Sequence, residues 1–518
     1  MKVRLIPCGL PLLLSLVSIA ISCTRPKRDY AGEREELYAV VRLETGNLPR
    51  KDVFLRDALR SEFPAVRARA VRALRRVGAL DDFAELETLL EDEEPAVRLE
   101  AVCALGRAAE PSAPFLQPFL LGVATDPDPW VRAASVKALS RIRGVASDWL
   151  EEACRDPAPV VRREALFALA ALKDPMAYLS LRRIASVERD ERVRWAVYWA
   201  LAASGDVYPE VTDDLIGAVG DPNFLVAVYA LRGLASAAGV DGVEEILATL
   251  RDPGKFWLVR EAAVHTLSEY LERENLSPQM RMEIEGAFLE LLLHRDSVDL
   301  YSPVRECLSA SLSRGGGGVS GGTETTNTRG TAAATKSSPV SASRQLGELV
   351  DASPALFLNR TGRNPRVRVT VEGRGEILIE LFALDAPRHV ARFIERVERG
   401  YYDGGKVMAI DPATGVSFAD TSVPSPEVAA RVLPGETFYR PYLRGALLAV
   451  PLTRFTVRRP TVRAEDPLAS AGGSFLIALV PQPELEGLVT CFGKVALGME
   501  VLDRFEAGDV IESIRRVE

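Results

Sequence analysis

The sequence PAVRARAVRAL at residues 64–74 contains a pattern that recurs along the N-terminal half of the chain. Close copies are PAVRLEAVCAL at 95–105, PWVRAASVKAL at 129–139 and PVVRREALFAL at 159–169. More divergent copies begin at Val193, Val226, Val259 and Val304. Counted from the valine of each copy, the apolar positions i, i+4, i+7 and i+8 lie on one face of a helix. We therefore predict one amphipathic helix per copy, and the proline of the close copies is typical of a helix start.

The arginine after this valine recurs at intervals of 31, 34, 30 and 32 residues from Arg67 to Arg194. Such an interval accommodates two helices, and the arrangement resembles the short HEAT repeats. The resemblance implies an all-α solenoid over residues 24–313, in which neighbouring helix pairs share one core.

Acidic residues accompany these motif arginines, for example Asp128 before Arg132 and Asp190 before Arg194. One interpretation is a basic stripe that binds an anionic ligand. The other is a ladder of Asp–Arg pairs between stacked repeats, which we favour because the acids occur together with the arginines.

Four aromatic residues fall on the helix face that points away from the shared core. They are Trp195 and Trp199 in the fifth copy, Phe167 in the fourth and Tyr229 in the sixth. Because second helices of solenoids line the concave surface, these residues predict an exposed protein-binding strip there. The alternative is that the linker or an adjacent repeat covers them.

The first residues have the features of an export signal. Lys2 and Arg4 precede an apolar run over 5–21, which ends in Ala20-Ile21-Ser22-Cys23. This ending resembles the cleavage box of bacterial lipoproteins, which implies that residues 1–23 form the signal and its lipobox and that Cys23 carries the lipid. An uncleaved membrane anchor is the alternative, although the run is shorter than the ~20 residues of a spanning helix. The resemblance also implies, from Thr24 in place of an aspartate after the cysteine, an outer-membrane protein that faces the periplasm.

A segment of Gly, Ser, Thr and Ala separates the two halves of the chain, over residues 314–344. Its composition cannot bury enough apolar surface to order itself, so we predict a disordered, flexible tether. On this basis the two halves need no fixed relative orientation.

The C-terminal region, residues 345–518, has a different periodicity. Alternating apolar residues on both sides of 372–375 predict a β-hairpin, and 387–399 has the pattern of an amphipathic helix. GEILIELFALDAPRHVARFIERVERGYYDG at 375–404 and GGSFLIALVPQPELEGLVTCFGKVALGMEVLDRFEAGDVIESI at 472–514 resemble a cyclophilin-type peptidyl-prolyl isomerase. The resemblance implies a closed eight-stranded β-barrel capped by two helices.

The resemblance also implies isomerisation of Xaa-Pro bonds, whose rotation breaks amide resonance. In the family an arginine donates a hydrogen bond to the proline amide, beside an apolar pocket for the ring. Ala409 occupies the arginine position here, and the other altered groove positions are Ser417, Ser474, Leu476 and Val489. We therefore expect no catalytic residues in this degenerate groove; the alternative is an active or weak isomerase that assists the folding of exported proteins.

Charge and composition limit the classes of partner that the protein is expected to bind. The net charge of −8 argues against nucleic acid, and the three histidines, His265, His294 and His389, are too far apart in sequence to suggest a metal site. We expect protein or peptide partners, a lipid anchor, and neither metal nor cofactor. The segment 452–471 is longer than the family's loop and contains Arg454, Arg458, Arg459 and Arg463, which either engage an acidic partner or form a solvated loop.

Overall fold

The computed structural model describes residues 30–45, 51–79, 83–108, 117–142, 147–204, 210–237, 239–293, 364–412, 414–418, 432–433, 436, 438–451 and 470–517. Several predicted features lie outside these residues. They are the lipidation site Cys23, the tether at 314–344, the repeat copy at Val304 and the four arginines of the 452–471 segment.

The described N-terminal residues form sixteen helices. Their bounds are α1 Tyr30–Thr45, α2 Lys51–Ala58, α3 Pro64–Val77, α4 Phe83–Leu90, α5 Pro95–Ala108, α6 Gln117–Val123, α7 Pro129–Leu139, α8 Ser147–Ala153, α9 Pro159–Leu172, α10 Pro175–Val187, α11 Glu191–Ser204, α12 Val211–Ala218, α13 Phe224–Ser236, α14 Val243–Arg251, α15 Trp257–Leu271 and α16 Pro278–Leu293. Four of the second helices, α3, α5, α7 and α9, begin at the proline that the sequence pattern predicted.

The helices pair as repeats, and the second helices α3, α5, α7, α9, α11, α13 and α15 stack side by side. Motif valines such as Val66 and Val131 are fully buried, as are motif leucines such as Leu74. Small residues let neighbouring repeats approach closely, since a Cβ on Gly106 would lie 2.8 Å from Ala138 Cβ. The predicted solenoid and its shared core are confirmed.

The motif arginines join each repeat to the next. The pairs are Arg67–Asp92 at 2.8 Å, Arg98–Asp126 at 2.7 Å, Arg132–Asp156 at 2.8 Å, Arg162–Glu188 at 2.8 Å, and Arg194–Asp221. These side chains also donate to backbone carbonyls six residues earlier, as Arg98 does to Asp92. The ladder is therefore present, and its arginines are occupied within the array.

The acids of this ladder differ from those that the sequence suggested. Asp128 accepts hydrogen bonds from Trp130 N and Val131 N and thereby caps α7. Asp190 pairs most closely with Arg192, at 2.8 Å. The partner of each motif arginine belongs to the following repeat, because stacking brings that acid alongside it.

The C-terminal residues form one curled antiparallel sheet. Its strands are β1 Arg366–Val371, β2 Gly375–Leu381, β3 Val407–Asp411, β4 Gly415–Phe418, β5 Val432–Leu433, β6 Ala446–Pro451, β7 Ser470–Ala478, β8 Cys491–Leu497 and β9 Ile511–Val517. The order is β3-β4-β7-β6-β8-β2-β1-β9, and the short β5 pairs with β7 outside this path. Two helices accompany the sheet, α17 Pro387–Glu398 and α18 Met499–Leu502.

Backbone hydrogen bonds join the two ends of the strand order. Val407 N donates to Asp509 O at 2.9 Å, and Ile511 N donates to Gly405 O at 2.7 Å. The interior contains the alternating residues that the sequence predicted, among them Val367, Val369 and Ile379, all buried. The curled sheet with its helices agrees with the predicted barrel.

Candidate functional site

Three of the predicted groove positions lie side by side on neighbouring strands. Ala409 of β3 is in register with Ser417 of β4, and Ser417 is in register with Leu476 of β7. Ala409 is exposed, whereas Ser417 and Leu476 are partly buried. Leu448 of β6 pairs with Leu476 and extends this row.

An apolar cluster lies beside this row. Val489 is buried, with 4% of its surface exposed, together with Leu448 and Leu485, and Leu476 packs against them. The Tyr442 hydroxyl donates to the Val489 carbonyl at 2.6 Å and fixes the loop before β8. The position where the family resemblance implies a histidine is therefore part of an apolar cluster. Ser474 belongs to β7.

The chemistry available at this row follows from its side chains. The side chain of Ala409 has no hydrogen-bond donor, and the leucines offer only apolar contact. Such a surface can accommodate a proline ring or another apolar side chain. At position 409 it cannot donate a hydrogen bond to the rotating amide.

The solenoid contacts the C-terminal domain directly. The contacts on the C-terminal side are made by residues just before α17 and in its first turn. The Arg72 guanidinium forms an ion pair with Asp385, and Arg76 donates to the Asp385 carbonyl at 2.6 Å. Arg69 donates to the Leu384 carbonyl. In the reverse direction, Arg388 donates to a carbonyl at the end of α1 at 3.2 Å.

A second group of contacts lies further along the solenoid, near the groove. Lys137 pairs with Glu486, and the Tyr229 hydroxyl donates to the Pro481 carbonyl at 2.8 Å. Arg232 donates to the Pro412 carbonyl at 2.8 Å, immediately after β3. The expectation that the two halves need no fixed orientation is therefore wrong for this structure, because two sets of directed contacts fix their arrangement.

The four predicted aromatic residues do come together. Ring centroids are 4.8 Å apart for Phe167–Trp199, 5.9 Å for Phe167–Trp195 and 5.7 Å for the stacked pair Trp195–Tyr229. However, Trp195 is 4% exposed and Tyr229 is 5% exposed. The expectation of an exposed strip needs correction, because Tyr229 lies under the chain's own C-terminal domain and Trp195 stacks on it.

The contact region is rich in buried charge. Burial raises the pKa of the Glu44 carboxyl, but Arg69 and Arg76 outweigh this effect and lower it to about 2. Burial likewise raises the pKa of Asp385, and the nearby Arg72 and Arg440 reverse the direction, so that the net pKa is lowered. Both carboxylates are therefore ionised at neutral pH and hold the arginines in place.

Arg232 was not among the predicted site residues. It lies in the sixth copy, where alanine replaces the motif arginine, and its guanidinium lies 5.7 Å from the Tyr229 ring centroid. Sequence reasoning missed it because its partner, the Pro412 carbonyl, is 180 residues away in another domain. Its only sequence signal is a cation on the face that points away from the repeat core.

Metal-binding clusters and membrane-spanning helices are absent from the described residues. These residues contain no group of three or more His, Cys, Asp or Glu side chains placed to bind a metal ion. None of their helices combines the length and apolar character needed to cross a membrane.

Comparisons with known proteins agree with both halves of this architecture. Residues 366–517 match the family described as cyclophilin type peptidyl-prolyl cis-trans isomerase/CLD, and residues 53–121, 86–160 and 147–226 match HEAT repeats. A peptidyl-prolyl cis-trans isomerase of Helicobacter pylori strain J99 is 30% identical over 148 residues, which cover 27% of this chain and 81% of that protein. Peptidyl-prolyl cis-trans isomerase B of Bacillus subtilis is 29% identical over 150 residues, covering 28% and 93%.

Among solved structures, a Cryptosporidium parvum cyclophilin type peptidyl-prolyl cis-trans isomerase is similar to 30% of this chain and 98% of its own, with 20% identity and a TM-score of 0.25. The sequence matches define the class of the molecule, a HEAT-repeat array fused to a cyclophilin domain. Through that domain the chain belongs to the cyclophilin-type peptidyl-prolyl cis-trans isomerase family.

Proposed function

We propose that the cyclophilin domain binds peptide segments, proline-containing ones included, and isomerises them weakly or not at all. The observation that carries this proposal is Ala409, exposed on β3 beside Ser417 and Leu476. The strands that build the groove are retained, while the donor that the family resemblance implies is missing.

The energetic argument concerns the transition state. Rotation about an Xaa-Pro bond has a barrier of ~18–20 kcal/mol in the planar amide, and a catalyst must favour the twisted form. Removal of one preorganised hydrogen-bond donor typically costs ~3–4 kcal/mol of transition-state stabilisation, roughly a factor of 10²–10³ in rate. Ground-state binding depends instead on the apolar contacts of Leu476 and its neighbours, which remain.

The second candidate is an active isomerase. It is favoured by the 30% identity to a protein named as a peptidyl-prolyl cis-trans isomerase. The buried cluster of Leu448, Leu485 and Val489 also retains an apolar surface beside the groove. This candidate requires another residue to supply the donor that Ala409 lacks.

For the solenoid we propose the role of a holder that fixes the cyclophilin domain. Lys137 pairs with Glu486, Tyr229 donates to the Pro481 carbonyl, and Arg232 donates to the Pro412 carbonyl. These contacts support this role, because the three partners lie at the ends of groove strands and in adjoining loops. An external protein partner would then meet the groove or the outer helices of the array.

We further propose that the protein is an exported lipoprotein, anchored through Cys23 and facing the periplasm, at the outer membrane. The apolar run over 5–21 and its Ser22-Cys23 ending support the proposal. Cys23→Ser should shift the protein from the membrane fraction to the soluble fraction. Retention of this variant in membranes after a high-salt wash would rule out the lipid anchor.

The activity test compares the full chain with its Ala409→Arg variant on tetrapeptide Xaa-Pro substrates. We expect the unaltered protein to have a kcat/KM well below ~10⁴ M⁻¹s⁻¹, the lower end of the usual enzymatic range. Arginine at this exposed strand position should raise activity, whereas Met408→Arg, also exposed and adjacent on β3, should not. A kcat/KM of ~10⁴ M⁻¹s⁻¹ or more for the unaltered chain would favour the active isomerase instead.

A further inference from the structure

A cavity of about 760 Å³ lies between the solenoid and the cyclophilin domain, away from the Ala409 row. Its solenoid wall is formed by the starts of the second helices, with Trp130 of α7, Val160 of α9 and Phe224 of α13. Leu443 and Pro481 close it from the cyclophilin side. The volume falls within the ~300–1,000 Å³ typical of ligand sites.

Two features give this cavity a polar end. Arg163 lines it with a side chain that is 8% exposed, and its Nε has no hydrogen-bond partner. Among the described residues Arg163 makes one hydrogen bond, from Nη2 to Glu164 at 3.1 Å, so Nη1 has no partner there. A buried guanidinium with unused donors is costly unless a ligand or water accepts from it.

The second feature is the start of α9, a helix of fourteen residues. Its N-cap residue is Ala158, which has no side chain to cap the helix, and both Ala158 and Val160 line the cavity. The neighbouring helices differ, because Asp128 caps α7 and Asn223 caps α13. Pro159 has no N–H, and Ala158 N and Val161 N already donate to Asp156 and to the Ala158 carbonyl. The amide of Val160 and the positive end of the helix dipole therefore face the same space as Arg163.

The remaining walls are apolar and accessible. Trp130 is 42% exposed and Leu443 is 44% exposed, which is unusual for large apolar side chains, and they border the cavity from opposite domains. Trp130 also packs edge-on against Tyr439, with ring centroids 6.4 Å apart. An occupant would cover both side chains.

The charges around the cavity are largely balanced, which favours a singly charged anion over a more highly charged one. Arg163 is partly balanced by Glu164, Arg444 is paired with Asp503 at 2.5 Å, and Arg192 is paired with Asp190 at 2.8 Å. Glu191 adds an acid at the wall. The attraction thus depends on directed donors rather than on net positive charge, which suits a carboxylate better than a phosphate.

We propose that this cavity binds a carboxylate attached to an apolar body, with the carboxylate between Arg163 and the start of α9 and the apolar part between Trp130 and Leu443. Such a ligand is either a small organic acid or the C-terminal end of a peptide. The site does not depend on isomerase activity at the Ala409 row, so either proposal can fail without the other.

The test is titration calorimetry of the full chain with three probes that contain no proline. They are acetyl-Ala-Leu-Phe as the free acid, the same peptide as its C-terminal amide, and 3-phenylpropanoate. The free acid should bind at least about tenfold more tightly than the amide, as expected for loss of a charge-assisted hydrogen bond. Tighter binding of the peptide acid than of 3-phenylpropanoate identifies a peptide end as the ligand, and the reverse order identifies a small acid.

Variants locate the binding. Trp130→Ala removes a wall of the cavity, and Val160→Trp fills the cavity. Each variant should weaken the binding of the free acid by about tenfold or more. Phe54 is an exposed aromatic residue on α2 that does not line the cavity, and Phe54→Ala should leave the affinity for the free acid unchanged. Arg163→Gln should abolish the preference for acid over amide.

Three results would overturn the proposal: no binding of either acid, equal binding of acid and amide, or unchanged binding in both wall variants. Val160→Trp leaves every charge in place. It therefore still tests whether the acid binds in this cavity if the Arg163→Gln protein does not fold.

Discussion

Two sets of polar side chains on the same second helices have different partners. The motif arginines, such as Arg98 and Arg132, bind an acid of the next repeat. A second set lies five residues after the motif arginine, or after the alanine that replaces it in the sixth copy. Its members Arg72, Lys137 and Arg232 contact the cyclophilin domain. The first set is periodic because every repeat has the same neighbour, whereas the second set varies because it meets a partner that does not repeat.

The position five residues after the motif arginine indicates which face of the repeat array binds a partner. Along the chain the variable position is occupied by Arg72, Cys103, Lys137, Phe167, Trp199 and Arg232. Loss of periodicity on a face that is not part of the repeat core therefore marks recognition of a particular surface. Here that surface belongs to the same chain.

Truncation of an aromatic side chain in the strip of Phe167, Trp195, Trp199 and Tyr229 should destabilise the protein most. Trp195→Ala removes a buried indole between Phe167 and Tyr229 and should lower the free energy of unfolding by ~3–5 kcal/mol. Phe54→Ala, at an exposed position on α2, should change it by less than about 0.5 kcal/mol. Thermal and urea unfolding measure both values, and equal small effects would mean that the strip is not covered.

A smaller effect is expected from the periodic ladder. Arg98→Met leaves the buried Asp126 carboxylate without its guanidinium and should cost ~3 kcal/mol. Because the ladder lies within the array, energy transfer between dyes on the two domains should stay unchanged in the folded variant. A change in that signal at native conditions would show that the ladder also sets the domain arrangement.

The interface pair should contribute less. A double-mutant cycle with Arg72→Ala and Asp385→Ala should give a coupling energy of ~1–2 kcal/mol, since both side chains are largely buried. The exposed pair Arg155–Glu152 serves as the matched control and should show no measurable coupling. Similar coupling in the two cycles would argue against a specific interface.

The smallest effect is a dependence on pH. Burial raises the pKa of Asp385, but Arg72 and Arg440 lower it overall below its ordinary value of 3.8. A carboxyl with a lowered pKa stabilises the folded form above that ordinary value, and the contribution is lost as the pH falls below it. Interdomain energy transfer should therefore decrease below pH 3.8. Asp385→Asn should have a flatter profile.

Much of the architecture could be predicted from sequence because it is local. The period of the Val-Arg motif predicted the stacked helices, and alternation at Val367 and Val369 predicted the first hairpin of the barrel. The resemblance placed Ala409, Ser417 and Leu476 in one groove, and the strand register brings them together.

The domain arrangement could not be predicted, because it depends on contacts between residues far apart in the chain. Tyr229 was a candidate for an external partner, yet its hydroxyl binds the Pro481 carbonyl. The composition of residues 314–344 predicts a tether, but a tether's composition contains no information about whether the joined domains bind each other. The cavity at Arg163 also needs both domains for its walls.

The chain's own cyclophilin domain covers the face of the second helices that contains Arg72, Lys137 and Tyr229. The most direct measurement introduces a protease site within residues 314–344, cleaves the purified protein and applies it to size exclusion at about 1 µM, where a surviving complex requires micromolar affinity or better. We expect the two fragments to elute together, and to separate when Arg72→Glu and Lys137→Glu are combined to oppose Asp385 and Glu486. Separation of the cleaved fragments without these substitutions would show that the cyclophilin domain is not held on this face.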